Sequence, residues 1–443
     1  AYRVPGYPYL RVNRFLASFR DQAERDPAAF HSWEQHLRAL DARARTYELS
    51  NLPLGSMAAL GITDRSAAAA VTDRCAAVLA LLDLGSPAGR EALVNRAEVP
   101  DDYADWKRVV GLYPLVRWPF FEFAKGWEHE ATGMFRRASL SAAEDPHSVR
   151  YQPPDSGLTA AQVATMLSHA ERDALGMPRL TPRDRAALIA TFAPVFEIDT
   201  NGDYDRIGPL EWLGGAAPAV DTSRPTVYQR LTYTRYGDAT LLQLVYTIWF
   251  PERPQSGLID PVSGTLDGLT FRVTLDQSGH PLVYDSIHNC GCYHMFLPTT
   301  RVAAIGPSDA NVEWVFIPRQ LPAIDAPTRI AVRITSGNHY LTDVRADAGG
   351  VGFSYSLVDD GELRTLPVAG GTRSAFGPDG IVPGTDRAER FVTWTLGLDD
   401  AGAMREWGHH ATALIGRRQF DDADLIERRF AIVGSTPVQQ RQQ

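Results

Sequence analysis

Tyr228-Gln-Arg-Leu-Thr-Tyr-Thr-Arg-Tyr236, Gly237-Asp238, Ala239-Thr-Leu-Leu-Gln-Leu-Val-Tyr-Thr-Ile-Trp-Phe250 decides how this chain folds. Two runs rich in Thr, Tyr, Val, Leu and Ile flank a two-residue Gly-Asp turn, which is the pattern of a β-hairpin. Leu269–Leu275 and Pro281–Ile287 repeat it around the turn Asp276-Gln-Ser-Gly279. Trp314–Pro318, Arg329–Thr335 and Gly352–Val358 extend the series, separated by turn residues. Residues 225–360 therefore read as an antiparallel β domain, sandwich- or barrel-like.

Upstream the texture is helical. Apolar residues recur at spacings of three and four in Leu10–Glu24, Phe30–Tyr47, Asp64–Leu84 and Asp101–Leu112. Ser86-Pro87, the capping box Thr159-x-x-Gln162 and Thr181-Pro182-Arg-Asp184 mark helix starts. Downstream, Phe376–Gly384 is rich in Gly and Pro, and helical spacing returns near Ala401–Ile415 and Asp421–Phe430. The chain ends in the Gln-rich Gln439–Gln443. The expected class is α+β: an all-helical region over 1–195, a linker over 196–224, the β domain, and a mixed C-terminal segment over 361–443 that packs on it.

The 443 residues, 44% apolar and 22% charged, have an ordinary globular composition. A net charge of −9 implies no broad basic surface, so nucleic acid is not an expected partner. No apolar run reaches the roughly 20 residues of a membrane-spanning helix. The first residue is Ala1 rather than Met, the form left when a signal peptide is removed, so an extracytoplasmic location is expected, whether periplasmic, cell-surface or secreted.

His288-Asn-Cys290-Gly-Cys292-Tyr-His294 gathers two of the three cysteines and two of the eleven histidines. On an extended strand all four side chains face one way, and thiolates with imidazoles are what Zn, Cu or Fe prefers. Neighbours two apart on a strand lie about 6.6–7 Å apart, so four ligands close on one ion only if the backbone bends, as Gly291 allows. Asp285 is the expected orienter, with His280 or His339 as distant helpers. The alternative is a Cys290–Cys292 disulfide, a short ring that braces a turn or acts as a redox pair.

Asp199-Thr-Asn201-Gly-Asp203-Tyr-Asp205, followed by Glu211, sets oxygen donors at alternate positions, the preference of Ca²⁺. Tyr204 stands where a calcium loop carries glycine, and the closing acid is one position late. Glu406-Trp-Gly-His409-His410 and Trp127-Glu128-His129-Glu130 are compact but have no companion motif. No Gly-x-Ser-x-Gly, phosphate-binding Gly-rich loop or His-Glu-x-x-His occurs.

Two functional readings follow. The first is an extracytoplasmic, non-catalytic binding or assembly protein, braced by Cys290–Cys292 and stapled by calcium at Asp199, Asn201, Asp203, Asp205 and Glu211. The aromatic cluster at Trp118–Gly126 would then meet a protein partner or a second copy. The other is a metalloprotein or metalloenzyme with its ion on His288, Cys290, Cys292 and His294.

Overall fold

The computed structural model describes residues 1–434 except 60, 62–63, 141–146, 155–156, 259, 308 and 310–311. The Gln-rich end lies outside the described residues. The hairpin forms as its sequence predicts: Thr226–Tyr236 pairs with Ala239–Arg253, closing at Tyr236 opposite Ala239. Gly237 takes the positive φ that so tight a turn demands.

These two strands are a third of a six-stranded sheet. Its order is Met295–Pro298, Pro281–His288, Gly264–Leu275, Ala239–Arg253, Thr226–Tyr236 and Ser356–Asp359. All neighbours are antiparallel except the last pair. A second, five-stranded sheet runs Leu341–Ala346, Ile330–Ile334, Val195–Asp199, Ser148–Gln152 and Phe353–Ser354. It is mixed, since Ile330–Ile334 runs parallel to Val195–Asp199. Both sheets and helices Tyr113–Leu140, Ala160–His169 and Pro182–Phe192 share one apolar core that includes Phe135, Leu188, Phe196, Tyr246, Phe271 and Val332.

The α+β class holds, with a helical N-terminal region preceding a strand-rich one. The first 195 residues are not helical throughout: Tyr2–Val4 pairs with Tyr7–Val12, and Ser148–Gln152 and Val195–Asp199 enter the second sheet. A boundary at residue 195 would therefore pass through a central strand. Thr159 and Gln162 form the reciprocal capping box, and Ser86 and Thr181 cap their helices.

Ala401–Ile415 and Asp421–Phe430 are turns rather than helices. Gly402 and Gly408 take positive φ within the first, which interrupts any helix there, and Gly416 does so just beyond it. Apolar spacing alone is met equally well by an irregular segment pressed onto a sheet, and that is what Leu425, Ile426 and Phe430 do against Leu282 and Phe296. Trp314–Pro318 is likewise irregular, although the Phe316 carbonyl accepts from the Phe296 amide.

Among the described residues no helix is long and apolar enough to cross a membrane. Leu112, Leu115, Trp118 and Phe123, on and just before Tyr113–Leu140, are exposed, as are Phe391 and Val392.

Candidate active site

The His288–His294 segment is the loop of a hairpin. Ser286 pairs with Met295, and the loop closes through Gly291 N–H to the His288 carbonyl (2.7 Å) and His288 N–H to the Cys292 carbonyl (3.0 Å). Gly291 supplies the bend with φ +96°, and a Cβ there would stand 2.6 Å from the Ala411 carbonyl oxygen. Gly291→Ala is expected to lose about 1–3 kcal/mol of stability, from left-handed strain together with this contact. Urea denaturation checks this, and an unchanged midpoint would refute it.

The bend does not gather the four ligands. His288 and Asp285 are an odd number of residues apart, so they face opposite sides of their strand. His294 joins Asp285: its Nε2 lies 3.1 Å from Asp285 Oδ2 and its Nδ1 3.2 Å from Thr412 Oγ1. Arg272 Nε donates to the same carboxylate at 2.9 Å. Burial holds the His294 pKa down to about 3, so the imidazole is neutral there. Cys290 and Cys292 are free thiols in contact with one another, and the hydrogen bond with Cys290, then burial, pushes the Cys292 pKa up. Among the described residues no group of three His, Cys, Asp or Glu is arranged to hold a metal ion.

The calcium-like residues also diverge. Asp199 pairs with Arg333 (3.1 Å), Asp203 with Arg206 (3.3 Å), and Glu211 with Arg224. The Asn201 side chain donates to Ser336 Oγ. Asp205 turns inward. Its carboxylate accepts from Gly337 N–H (2.7 Å), Ser336 Oγ (2.8 Å) and Asn201 N–H (2.8 Å).

Beyond Asp205 lies a chain of charges from four separate segments. His339 Nε2 is 3.3 Å from Asp205 Oδ1, and His339 Nδ1 meets Asp267 Oδ2 at 2.8 Å. The other Asp267 oxygen is 3.5 Å from His288 Nδ1. Antiparallel pairing explains the last step: Asp267 sits near the start of Gly264–Leu275 and His288 at the end of Pro281–His288, so both reach one edge. Asp205, Asp267, His288 and His339 are all buried.

Burial opposes charge on each member, and the neighbours decide the outcome. For His339 two carboxylates outweigh burial, and its pKa rises above the ordinary value. For His288 burial prevails over Asp267 alone, and the pKa falls. Burial would raise Asp267, but the imidazoles hold it well below the usual carboxylate range. The shifts favour the charged form of His339, anionic carboxylates and a neutral His288. With Nδ1–H turned to Asp267, the free lone pair of His288 is on Nε2, which is buried without a hydrogen-bond partner among the described residues.

Against His288 stand two phenols and a cation. The Tyr293 ring meets His288 edge-on at 4.9 Å. The Tyr340 hydroxyl donates to the Tyr293 oxygen (3.2 Å) and accepts from Arg253 Nη2 (3.0 Å). Tyr293 (φ +60°), His339 (φ +50°) and Leu266 beside Asp267 (φ +55°) all hold left-handed backbone that side chains disfavour. Such strain concentrates where a site is over-determined by its surroundings.

Tyr293 also borders a cleft of about 120 Å³, across which Trp127 packs on it at 5.0 Å. Cys290, Cys292, Phe316, Glu389 and Arg405 share the lining. Glu406 and His409 do not join: Glu406 pairs with Arg364, and His409 faces Asp102 at 3.5 Å.

Sequence reasoning found His288, Asp205 and, as a helper, His339, but gave them different roles. It missed Asp267, Arg253, Tyr293 and Tyr340. The acidic residue in Gly264–Leu275, at a position that pairing buries, was the available signal for Asp267. No family model matches this chain, and neither a curated protein nor a solved structure matches it.

Proposed function

We propose that the protein is an enzyme that works by proton transfer, with His288 as general base. The observation that carries this reading is the Nε2 of His288, buried without a hydrogen-bond partner among the described residues, at the end of the Asp205–His339–Asp267 chain. A bracing role gives no reason to bury two carboxylates and two imidazoles in line, since desolvating charge is costly. Base catalysis gives one: Asp267 fixes the tautomer and stabilises the imidazolium once Nε2 has taken a proton.

Tyr293 stands between His288 and the cleft. Its oxygen already accepts from Tyr340, so its own O–H is left to donate. Tyr293 is thus the general acid, and Arg253 beside the phenols steadies charge that develops on their oxygens.

Long-range ¹H–¹⁵N spectra of the histidines in the full chain test this reading. At pH 7 His288 is expected neutral with its proton on Nδ1, and His339 doubly protonated. A charged His288, or one protonated on Nε2 alone, would overturn it. In turnover, His288→Gln is expected to lower kcat by about 10²–10⁴-fold.

A further inference from the structure

The cleft's charges are not balanced. Of its carboxylates, Asp102 pairs with Arg14 (3.0 Å), Glu128 with Lys125 (2.7 Å), and Asp399 with Lys107. Glu313 accepts from the Leu414 and Ile415 amides at 2.8 Å and faces Arg418 at 3.8 Å. Arg405, by contrast, donates to the carbonyls of Asp399 and Asp400, and no carboxylate among the described residues lies within ion-pair distance of it. The one lining carboxyl left without an ion-pair partner is Glu389, which burial pushes toward its protonated, donating form. The indole N–H of Trp127 is buried without a partner, and it is the one unsatisfied buried side-chain atom in the lining among the described residues. Among the described residues the cleft therefore holds a cation with no carboxylate partner, Arg405, and a spare donor, the Trp127 N–H.

Much of the remaining lining is apolar and aromatic, with Phe120, Phe123, Trp127, Trp314 and Phe316. Its volume of about 120 Å³ approaches the roughly 150 Å³ of an apolar cavity that takes benzene. Phe123 of the lining is exposed, as are Leu115 and Trp118 on the same helix. A wholly apolar guest would leave Arg405 unanswered, and a small inorganic anion would leave the aromatic walls unused.

We propose that the cleft takes a small organic anion made of a carboxylate and a compact apolar group smaller than benzene, with Arg405 as its counter-charge. Resting on the acid–base reading above, this names the substrate class that Tyr293 meets in the cleft, with His288 behind it.

The test uses the full chain with 3-methylbutanoate and its neutral analogue 3-methyl-1-butanol, followed by tryptophan fluorescence and calorimetry. Saturable one-to-one binding of the carboxylate is expected, at least tenfold tighter than the alcohol. Arg405→Gln is expected to abolish that preference while leaving alcohol binding in place, which also shows that the variant is folded. Absence of saturable carboxylate binding, equal affinity for the two compounds, or an unchanged preference in Arg405→Gln overturns the proposal. The histidine spectra are recorded on the same protein without ligand, so the two readings fail separately. A neutral His288 with no carboxylate binding removes the ligand class alone. Carboxylate binding with a charged His288 removes the base alone.

Discussion

Asp285→Ala is expected to lower unfolding stability by about 3–5 kcal/mol, the usual cost of stripping the partner from a buried charge. Asp285 is fully buried on Pro281–His288, the strand next to one edge of the six-stranded sheet. Its two oxygens receive Nε and Nη2 of Arg272, one of them at 2.9 Å, and one also faces His294 Nε2 at 3.1 Å. Burial opposes ionisation there, but Arg272 and His294 hold the pKa below the ordinary value. Arg272 is itself buried, lies on the Phe420 ring at 3.8 Å and donates to the Phe420 carbonyl at 2.6 Å. Losing Asp285 would leave that guanidinium with one neutral acceptor and no counter-charge. Urea denaturation at pH 7 reads the effect, and a loss below about 1 kcal/mol would show that the pair is not what holds the C-terminal segment on the sheet. Arg272→Met with Asp285→Leu is expected to recover much of the loss, because two apolar groups of similar size leave no orphan charge.

The second large effect concerns acid. His410 is buried beneath the hairpin loop, and its ring makes no well-aligned hydrogen bond among the described residues. Burial, and then the nearby charges of Arg405 and His409, bring its pKa down to about 3. The folded value lies below the unfolded one near 6.5, so the unfolded chain takes up the proton first. The stabilising contribution is therefore whole above pH 6.5 and is lost as pH falls from there toward 3, at roughly 1.4 kcal/mol per pH unit. His410→Phe removes this titration and keeps the ring. Its stability at pH 7 is expected within about 1 kcal/mol of the parent protein, since few hydrogen bonds are given up. Between pH 6 and 4 its stability should fall less steeply, by about 1 kcal/mol per unit. Asp422, raised to about 6 mainly by burial, works in the opposite direction, but it is present in both proteins and cancels in the difference. Parallel slopes would refute the assignment.

Much of the architecture was legible locally. The Gly237-Asp238 hairpin and the caps at Ser86, Thr159 and Thr181 depend on neighbours within a few residues, and all appear as read. The C-terminal segment was not legible, because Ala401–Ile415 and Asp421–Phe430 carry helix-like spacing without helix. Their apolar residues meet a sheet formed more than 100 residues earlier, and periodicity does not record where a partner surface lies. For the site, the bend at Gly291 was read correctly, whereas the convergence of His288, Cys290, Cys292 and His294 did not follow. Once the chain turns back, alternation no longer places those four side chains on one face.

The sequence by itself determined the strand-rich half, its hairpin registers and the concentration of chemistry around His288–His294, since these follow from side-chain alternation and turn stereochemistry. Tertiary structure alone decided what the polar strand residues do. Arg272, Thr274 and Asp285 alternate with apolar neighbours as a solvated face would, yet all are buried. It also decided that Asp205, Asp267, His288 and His339 form one line. They come from four segments spread over more than 130 residues, and low-dielectric burial fixes their protonation, which no local pattern encodes.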